Sequence, residues 1–400
     1  MNGSIYLDYN ATTPCDHRVV EKMLPYFSLV YGNPANGLHR QGRMAAKAVD
    51  EARQQVADLI GAHPGEIFFT SGATESNNLA IFGVVNKVSR VVRKRIVTCV
   101  VEHKSVLLPC KKLKESGFEI TFLGVDAEGR VRPEEAEAVI DDKTLLVTIQ
   151  AANNELGTLQ PIADIAEIAH RHGALVHTDA AQFVGKLPVS VDVLGIDLLS
   201  MSAHKLYGPK GVGAFYIRGG KKSIPIEPLI IGGGQENGLR SGTTNVPAIV
   251  GFGVACQIAK ELVREEKDRI DSLRNQLEET LTKEIHNLRI NGKNAPRLPN
   301  TSSLTFPGID ADALLLNLPD VMMGTGSACT SGAIEPSHVL RAIGLSRTDA
   351  SSTIRASLGR YTTANEIDKA CAIIIETVNT LNLLFLSIEK GTTPSKRGLS

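Results

Sequence analysis

Between about Arg18 and Gly253 the chain repeats one unit: an amphipathic stretch, a Gly or Pro break, then a short run of β-branched and other apolar residues. The runs are Glu66 to Thr70 (EIFFT), Arg95 to Val101 (RIVTCVV), Glu119 to Leu123 (EITFL), Thr144 to Ile149 (TLLVTI), Ala174 to Thr178 (ALVHT), Leu198 to Ser202 (LLSMS) and Gly213 to Ile217 (GAFYI). Most are continuously apolar. A strand with one face in water alternates with a period of two, so continuous runs predict strands buried on both faces. Helices are expected between them, including Asp50 to Ile60, Asn77 to Val85 and Ile162 to Arg171. The fold class that follows is α/β, a mostly parallel seven-stranded sheet covered by helices.

After about Val254 the rhythm changes to a long charged helix, Ala255 to Ile285, then strand-like pieces and a last helix, Ala364 to Leu386. Four hundred residues exceed what one hydrophobic core usually holds. Residues 16–254 are therefore expected as a large domain, and residues 1–15 with 255–389 as a smaller α+β one. Ser4 to Asn10 is expected to return to the smaller domain as a short strand. The polar tail 390–400 is expected to be disordered.

Composition narrows the partners. Lys plus Arg and Asp plus Glu are 43 each, so no net field draws the chain to nucleic acid or an anionic membrane. The absence of Trp and 4% aromatics leave little for base stacking. No apolar run reaches the ~18 residues of a membrane span, and Met1 to Pro14 lacks a basic stretch followed by an apolar one, so a cytoplasmic protein is expected. The six cysteines lie far apart, with no Cys-x-x-Cys pair, which predicts neither a disulfide framework nor a metal site.

Chemistry-bearing residues gather where apolar runs stop, the edge at which open parallel sheets bind ligands. In HTDAAQ (177–182), Asp179 is either a cavity carboxylate or a helix N-cap. In SAHKLYGPKG (202–211), Gly and Pro hold Lys205 in a turn, where a desolvated amine can form a Schiff base. A carboxylate paired with the ring nitrogen of pyridoxal phosphate keeps that nitrogen protonated, so the two segments suit this cofactor. TSGATESNN (70–78) opens a helix with small residues whose amides suit a phosphate, with Ala73 and Thr74 as the cradle and Ser202 and His204 closing it. His103 in VEHKS either stacks on a planar group and moves protons or caps a helix. Asn153 and Asn154 end another run. Cys329 in GTGSACTSG sits in a polar loop, unlike Cys99, Cys256 and Cys371 in apolar runs, and is the candidate nucleophile. Arg355 and Arg360 can grip a carboxylate.

Taken together, LDYNATTP (7–14), GNPAN with His39, TSGATESNN, VEHKS, HTDAAQ, SAHKLYGPKG, RSGTTN (240–245), GSACTSG and IRASLGRYTT (354–363) resemble the cysteine desulfurases of the NifS and IscS type, pyridoxal phosphate enzymes of fold type I. The resemblance spans nearly the whole chain. It implies that Lys205 holds the cofactor, Asp179 pairs with its ring nitrogen, Gln182 bonds its ring hydroxyl and His103 stacks on it. Ala73, Thr74, Ser202 and His204 would bind its phosphate, joined by Thr243 from a second subunit of a homodimer. Asn154, counted also among the cofactor contacts, and Arg355 would hold the L-cysteine carboxylate. Cys329 would take the sulfur as a persulfide while L-alanine leaves, with His103 and Lys205 as proton carriers. An acceptor or iron–sulfur scaffold protein would receive the sulfur, with at most a transient iron–sulfur contact at Cys329. Two departures stand out: Asn33 to Asn36 reads NPAN where the family often has Asn-Pro-Ser-Ser, and Ser387 to Ser400 does not resemble the segment that docks the scaffold in the IscS branch. Selenocysteine lyase, a pyridoxal phosphate aminotransferase and a catalytically silent sulfur-relay scaffold are the rival readings.

Overall fold

The computed structural model describes residues 4–88, 93–325 and 336–389. All seven apolar runs form one sheet: β1 (Ile67–Thr70), β2 (Arg95–Cys99), β3 (Glu119–Leu123), β4 (Thr144–Thr148), β5 (Leu175–Asp179), β6 (Leu198–Ser202) and β7 (Gly213–Ile217). Their order is β1-β7-β6-β5-β4-β2-β3, parallel throughout except that β7 runs against both its neighbours. The expected ends move by one or two residues. Pro64–Glu66 is a single 3-10 turn before β1, and β5 continues through Asp179, so that carboxylate is the last residue of the strand.

Continuous hydrophobicity has the cause that the pattern suggested. Phe68, Ile96 and Phe215 join one core beneath α2 (Ala73–Val88) and α3 (Lys104–Glu115). Their neighbours Phe69, Val97 and Tyr216 join another, with α1 (Arg40–Ile60), α4 (Ile162–Arg171) and the first part of α5 (Val246–Glu284). Alternate residues serve opposite faces, so both must be apolar. Helix α4 has the expected bounds, whereas α1 begins ten residues earlier than expected and α2 four earlier, which puts Ala73 and Thr74 in a first helical turn. Helix α3 was not expected, because Pro109 within it masks the helical signal.

The long charged helix is also longer than expected. It begins at Val246 and passes unbroken through the change of pattern at Val254. Its residues up to Ala259 belong to the core beside the sheet, and those from Ile270 belong to a third core with Ile5, Leu7, Leu304, Ile354 and the final helix α6 (Ala364–Glu389). By length and composition α5 could cross a membrane, but 67% of its apolar window is buried in the protein. The N-terminal strand does return: Ile5–Tyr6 pairs in parallel with Val321–Met322. Nearby, Thr353–Ser357, Thr301–Thr305 and Arg289–Asn291 form a three-stranded antiparallel sheet that carries Arg355. The tail 390–400 lies outside the described residues.

Candidate active site

Strands β1, β2, β4, β5 and β6 end at the same edge, and the segments that follow them wall a cavity of about 930 Å³. Ala73, Thr74, His103, Asn154, Asp179, Gln182, Ser202, His204, Lys205 and Arg355 all line it. Thr243 does not; it is exposed on the surface. Cys329 lies outside the described residues. At the rim β7 starts with Gly213, where a Cβ would come within 2.6 Å of Gly72 Cα, so only glycine lets β7 pass the turn that opens α2.

Lys205 ends a 3-10 turn directly after β6, and its Nζ donates to the carbonyls of Asn10 (2.6 Å) and Ala11 (2.7 Å). Burial, with Arg355 nearby, pushes its amine down to about 8, although Asp179 and Asp8 oppose the shift. The turn is held firmly. Tyr207 sits at φ 66, a costly backbone for a tyrosine, fixed by its N–H to Thr13 Oγ1 (2.9 Å) and by its hydroxyl accepting from the Arg360 N–H (2.5 Å).

For Asp179 the two sequence readings coexist. Oδ1 caps the following turn by accepting from the Ala181 N–H (3.0 Å), while Oδ2 accepts from Asn77 Nδ2 (2.7 Å). His103 likewise caps α3 through Nδ1, which accepts from the Ser105 N–H (3.1 Å), and still lines the cavity. Burial first, then Lys205, His338 and Lys104, lower its basicity against Asp179. His204 contacts Thr12 Oγ1 through Nδ1 (3.1 Å), and burial, reinforced by Lys205 and Lys210, pushes it down to about 4. It therefore meets an anion as a neutral N–H donor, and the positive charge at that end of the cavity belongs to Lys210.

One expectation needs correction, that of Arg360. Arg355 lines the cavity as expected, and there it pairs with Asp8 Oδ1 (2.6 Å) and donates to the Asn154 carbonyl (3.0 Å). Arg360 does not reach the cavity. It pairs with Asp16 (2.9 Å) and Glu266 (2.5 Å) and lies over the Tyr207 ring. Gln182 is also engaged, its Nε2 donating to the Asn10 carbonyl (2.9 Å) and its Oε1 accepting from Lys186 Nζ (2.6 Å).

Sequence reasoning missed Asp8 and Asn10, which line the cavity, and Asn77 and Lys186, which bond to residues that do. Asn10 is the junction. Its carbonyl receives Lys205 and Gln182, and its side chain receives Lys186 (2.8 Å) and donates to Thr301 Oγ1 (2.8 Å). Lys186 has its amine pushed well below the usual lysine range by burial, with Lys205 and Arg355 adding to it. A local signal existed only for Lys186, four residues after Gln182; Asn10 meets Gln182 across 172 residues.

Behind His103 lies Glu102, fully buried and pushed up to about 8 by burial. Its Oε1 accepts from the Gln150 N–H (2.6 Å) and the Cys99 thiol (3.2 Å), and Oε2 has no partner among the described residues. The folded chain therefore holds a proton there that the unfolded chain releases above the ordinary glutamate range, so stability falls as pH rises from about 4.5 to about 8. Glu102→Gln keeps the accepting oxygen and removes the ionisation. It is expected to raise Tm at pH 8 relative to the wild type and leave Tm at pH 4.5 unchanged; melting curves at the two pH values check this, and equal shifts at both would refute a buried acid.

The model for the family described as aminotransferase class-V matches residues 5–370. The cysteine desulfurase IscS of Histophilus somni (strain 129Pt) is 48% identical over 383 residues, which cover 95% of this chain and 94% of that protein. The chain belongs to the class-V aminotransferases, in their cysteine desulfurase branch. A solved NifS-like protein matches this desulfurase with a TM-score of 0.87 at 41% identity, covering 94% of this chain and 100% of that one. SspA, solved in complex with cysteine, matches with a TM-score of 0.78 at 40% identity, covering 90% and 99%. Desulfurases of this family are pyridoxal phosphate enzymes, and the residues present fit that group. The cavity offers an amine with depressed basicity (Lys205), a buried carboxylate (Asp179), and beside them a helix start with Ser202, the His204 ring and Lys210. A planar cation, an aldehyde and a phosphate need that donor set.

Proposed function

We propose that this desulfurase converts L-cysteine to L-alanine in the 930 Å³ cavity and passes the sulfur to Cys329 as a persulfide. The observation that carries the assignment of roles is the convergence on one cavity of Lys205, with its amine near 8, and the Asp179 carboxylate. Pyridoxal phosphate, when bound, supplies the electron sink that weakens the bonds at the substrate Cα. Lys205 holds the cofactor and, once displaced by substrate, carries the proton at Nζ. Asp179 Oδ2, already oriented by Asn77, pairs with the ring nitrogen. Gln182 bonds the ring oxygen through the Nε2 that now faces the Asn10 carbonyl, and His103 stacks on the ring. Ala73, Thr74, Ser202 and His204 bind the phosphate.

The substrate carboxylate is bound by Arg355, in competition with Asp8, and by the Asn154 side chain. In the transfer the substrate C–S bond breaks, an S–S bond forms with Cys329, and the carbon keeps the electron pair and takes a proton. The other cysteines support Cys329 by contrast. Cys99, Cys110, Cys256 and Cys371 are buried, Cys15 is half-buried, all have thiols shifted up by burial, and none lines the cavity.

The enzyme acts as a cytoplasmic homodimer, with Thr243 of a second copy completing the phosphate site. Support comes from the large apolar side chains left in water at Phe27, Leu29, Tyr31 and Leu38, the last 93% exposed, more than a monomer surface usually carries in one stretch. The two ends of α5, in different cores, support a division into 16–254 and 1–15 with 255–389. The persulfide is handed on to an acceptor protein, for iron–sulfur assembly or another thiolation pathway. Alanine release from L-cysteine by the cofactor-loaded protein, with L-selenocysteine alongside, tests the proposal: turnover of L-cysteine supports it, and turnover of L-selenocysteine alone would refute the substrate.

A further inference from the structure

Asp179 and His103 are joined through two side chains, Asn77 and Ser105. Asn77 Nδ2 donates to Asp179 Oδ2 (2.7 Å) and to Ser105 Oγ (2.8 Å), and Ser105 Oγ lies 2.7 Å from His103 Nδ1. Asn77 is 0% exposed and Ser105 8%.

The hydrogens along this chain have one consistent direction. A carboxylate only accepts, so Asn77 must turn its amide nitrogen toward Asp179. The cost of that orientation is visible: Asn77 Oδ1 is buried with no partner among the described residues. The second hydrogen on Nδ2 occupies Ser105 Oγ as an acceptor, so the serine hydroxyl hydrogen goes to His103 Nδ1. Independently of the side chains, the Ser105 backbone N–H also points at Nδ1 (3.1 Å). Two donors aimed at Nδ1 leave no place for a hydrogen on it. In the neutral ring the proton then sits on Nε2, which has no hydrogen-bond partner among the described residues, on a ring that lines the cavity.

We propose that Asn77 and Ser105 are positioning residues that lock neutral His103 in its Nε2–H tautomer, so that the ring offers the cavity a hydrogen-bond donor and no basic nitrogen. A neutral imidazole can accept a proton only at its bare nitrogen, and here that nitrogen is turned away and doubly occupied. Burial favours the neutral ring; Lys205, His338 and Lys104 reinforce this and Asp179 opposes it. The chain also ties the tautomer to the cofactor site, because it begins at the carboxylate assigned to the ring nitrogen. The inference rests on His103 serving that site as proposed above.

The test is nitrogen-15 NMR of the holoenzyme labelled at histidine. The expected spectrum shows a protonated, pyrrole-type Nε2 and a bare, pyridine-type Nδ1 for His103; the reverse pattern overturns the proposal. Ser105→Ala, which removes the hydroxyl but keeps the backbone N–H at Nδ1, should move both signals part-way toward averaged values and lower kcat by up to about tenfold with KM for L-cysteine within about twofold, and Ser105→Thr should restore both. A His103 pattern and kcat unchanged in Ser105→Ala would remove Ser105 from the role. His177, clamped between Thr148 Oγ1 (2.7 Å) and Ser200 Oγ (2.9 Å), reports in the same spectra that the fold is intact. His103 signals that do not move between apoenzyme and holoenzyme would instead overturn the stacking role beneath the inference, a failure distinct from the wrong tautomer.

Discussion

Lys205→Ala is expected to lower alanine formation from L-cysteine by about 10³-fold or more and to abolish the borohydride-reducible link between protein and cofactor. The other buried amine, on Lys186, is held by Asn10 Oδ1 and Gln182 Oε1 and does not line the cavity. The same residue sets a pH dependence. With the amine at about 8, the free base that attacks an aldehyde grows as pH rises toward 8 and levels off above it, whereas an ordinary lysine would still be gaining near 10. The rate at which the apoenzyme's cofactor band develops should therefore rise from pH 6 to a plateau above pH 8. A rate still climbing beyond pH 9 would place the amine in water and contradict the burial described here, and a reducible link surviving in Lys205→Ala would remove the residue from its role.

The second large effect is expected at Cys329. A serine hydroxyl at this position is far less nucleophilic toward sulfur than a thiolate, so Cys329→Ser should lower alanine release by about 10²-fold or more. The cofactor spectrum and the rate of cofactor loading should be unchanged, because Lys205, Asp179 and Gln182 remain in place. That pairing separates loss of the sulfur acceptor from loss of the cofactor site. Alanine release at the wild-type rate would assign the acceptor role elsewhere, although none of the five described cysteines reaches the cavity. The Cys15, Cys99, Cys110, Cys256 and Cys371 thiols are all shifted up, away from thiolate at neutral pH.

These two residues could be chosen before the fold was seen, and others could not. A run of apolar residues ending in Asp179, and another ending in Ser202 and followed by a Gly- and Pro-bounded lysine, carry their meaning in a dozen consecutive positions. Strand burial and strand-end chemistry are local properties, and ten of the twelve residues that the family resemblance assigned to the site line one cavity. What stayed hidden was who occupies whom. Arg355 was expected to grip a substrate carboxylate, but nothing local announced that Asp8, 347 residues away, pairs with it. Arg360 was expected beside it and is spent on Asp16 and Glu266 in the packing around Tyr207.

The primary structure by itself determined the layered architecture, because a period of two or its absence follows directly from which strand faces are dry. It also pointed to the chemistry available: one turn-bound lysine, one strand-end carboxylate, and a cysteine set among Gly, Ser and Thr. Only the tertiary structure decided the states in which these groups work. The amine near 8, the doubly used Asp179, the Asn77 to Ser105 chain and the Asn10 junction all arise from burial and from contacts between segments that lie far apart in the sequence. Desolvation and hydrogen-bond direction depend on everything surrounding an atom, and no stretch of residues contains that.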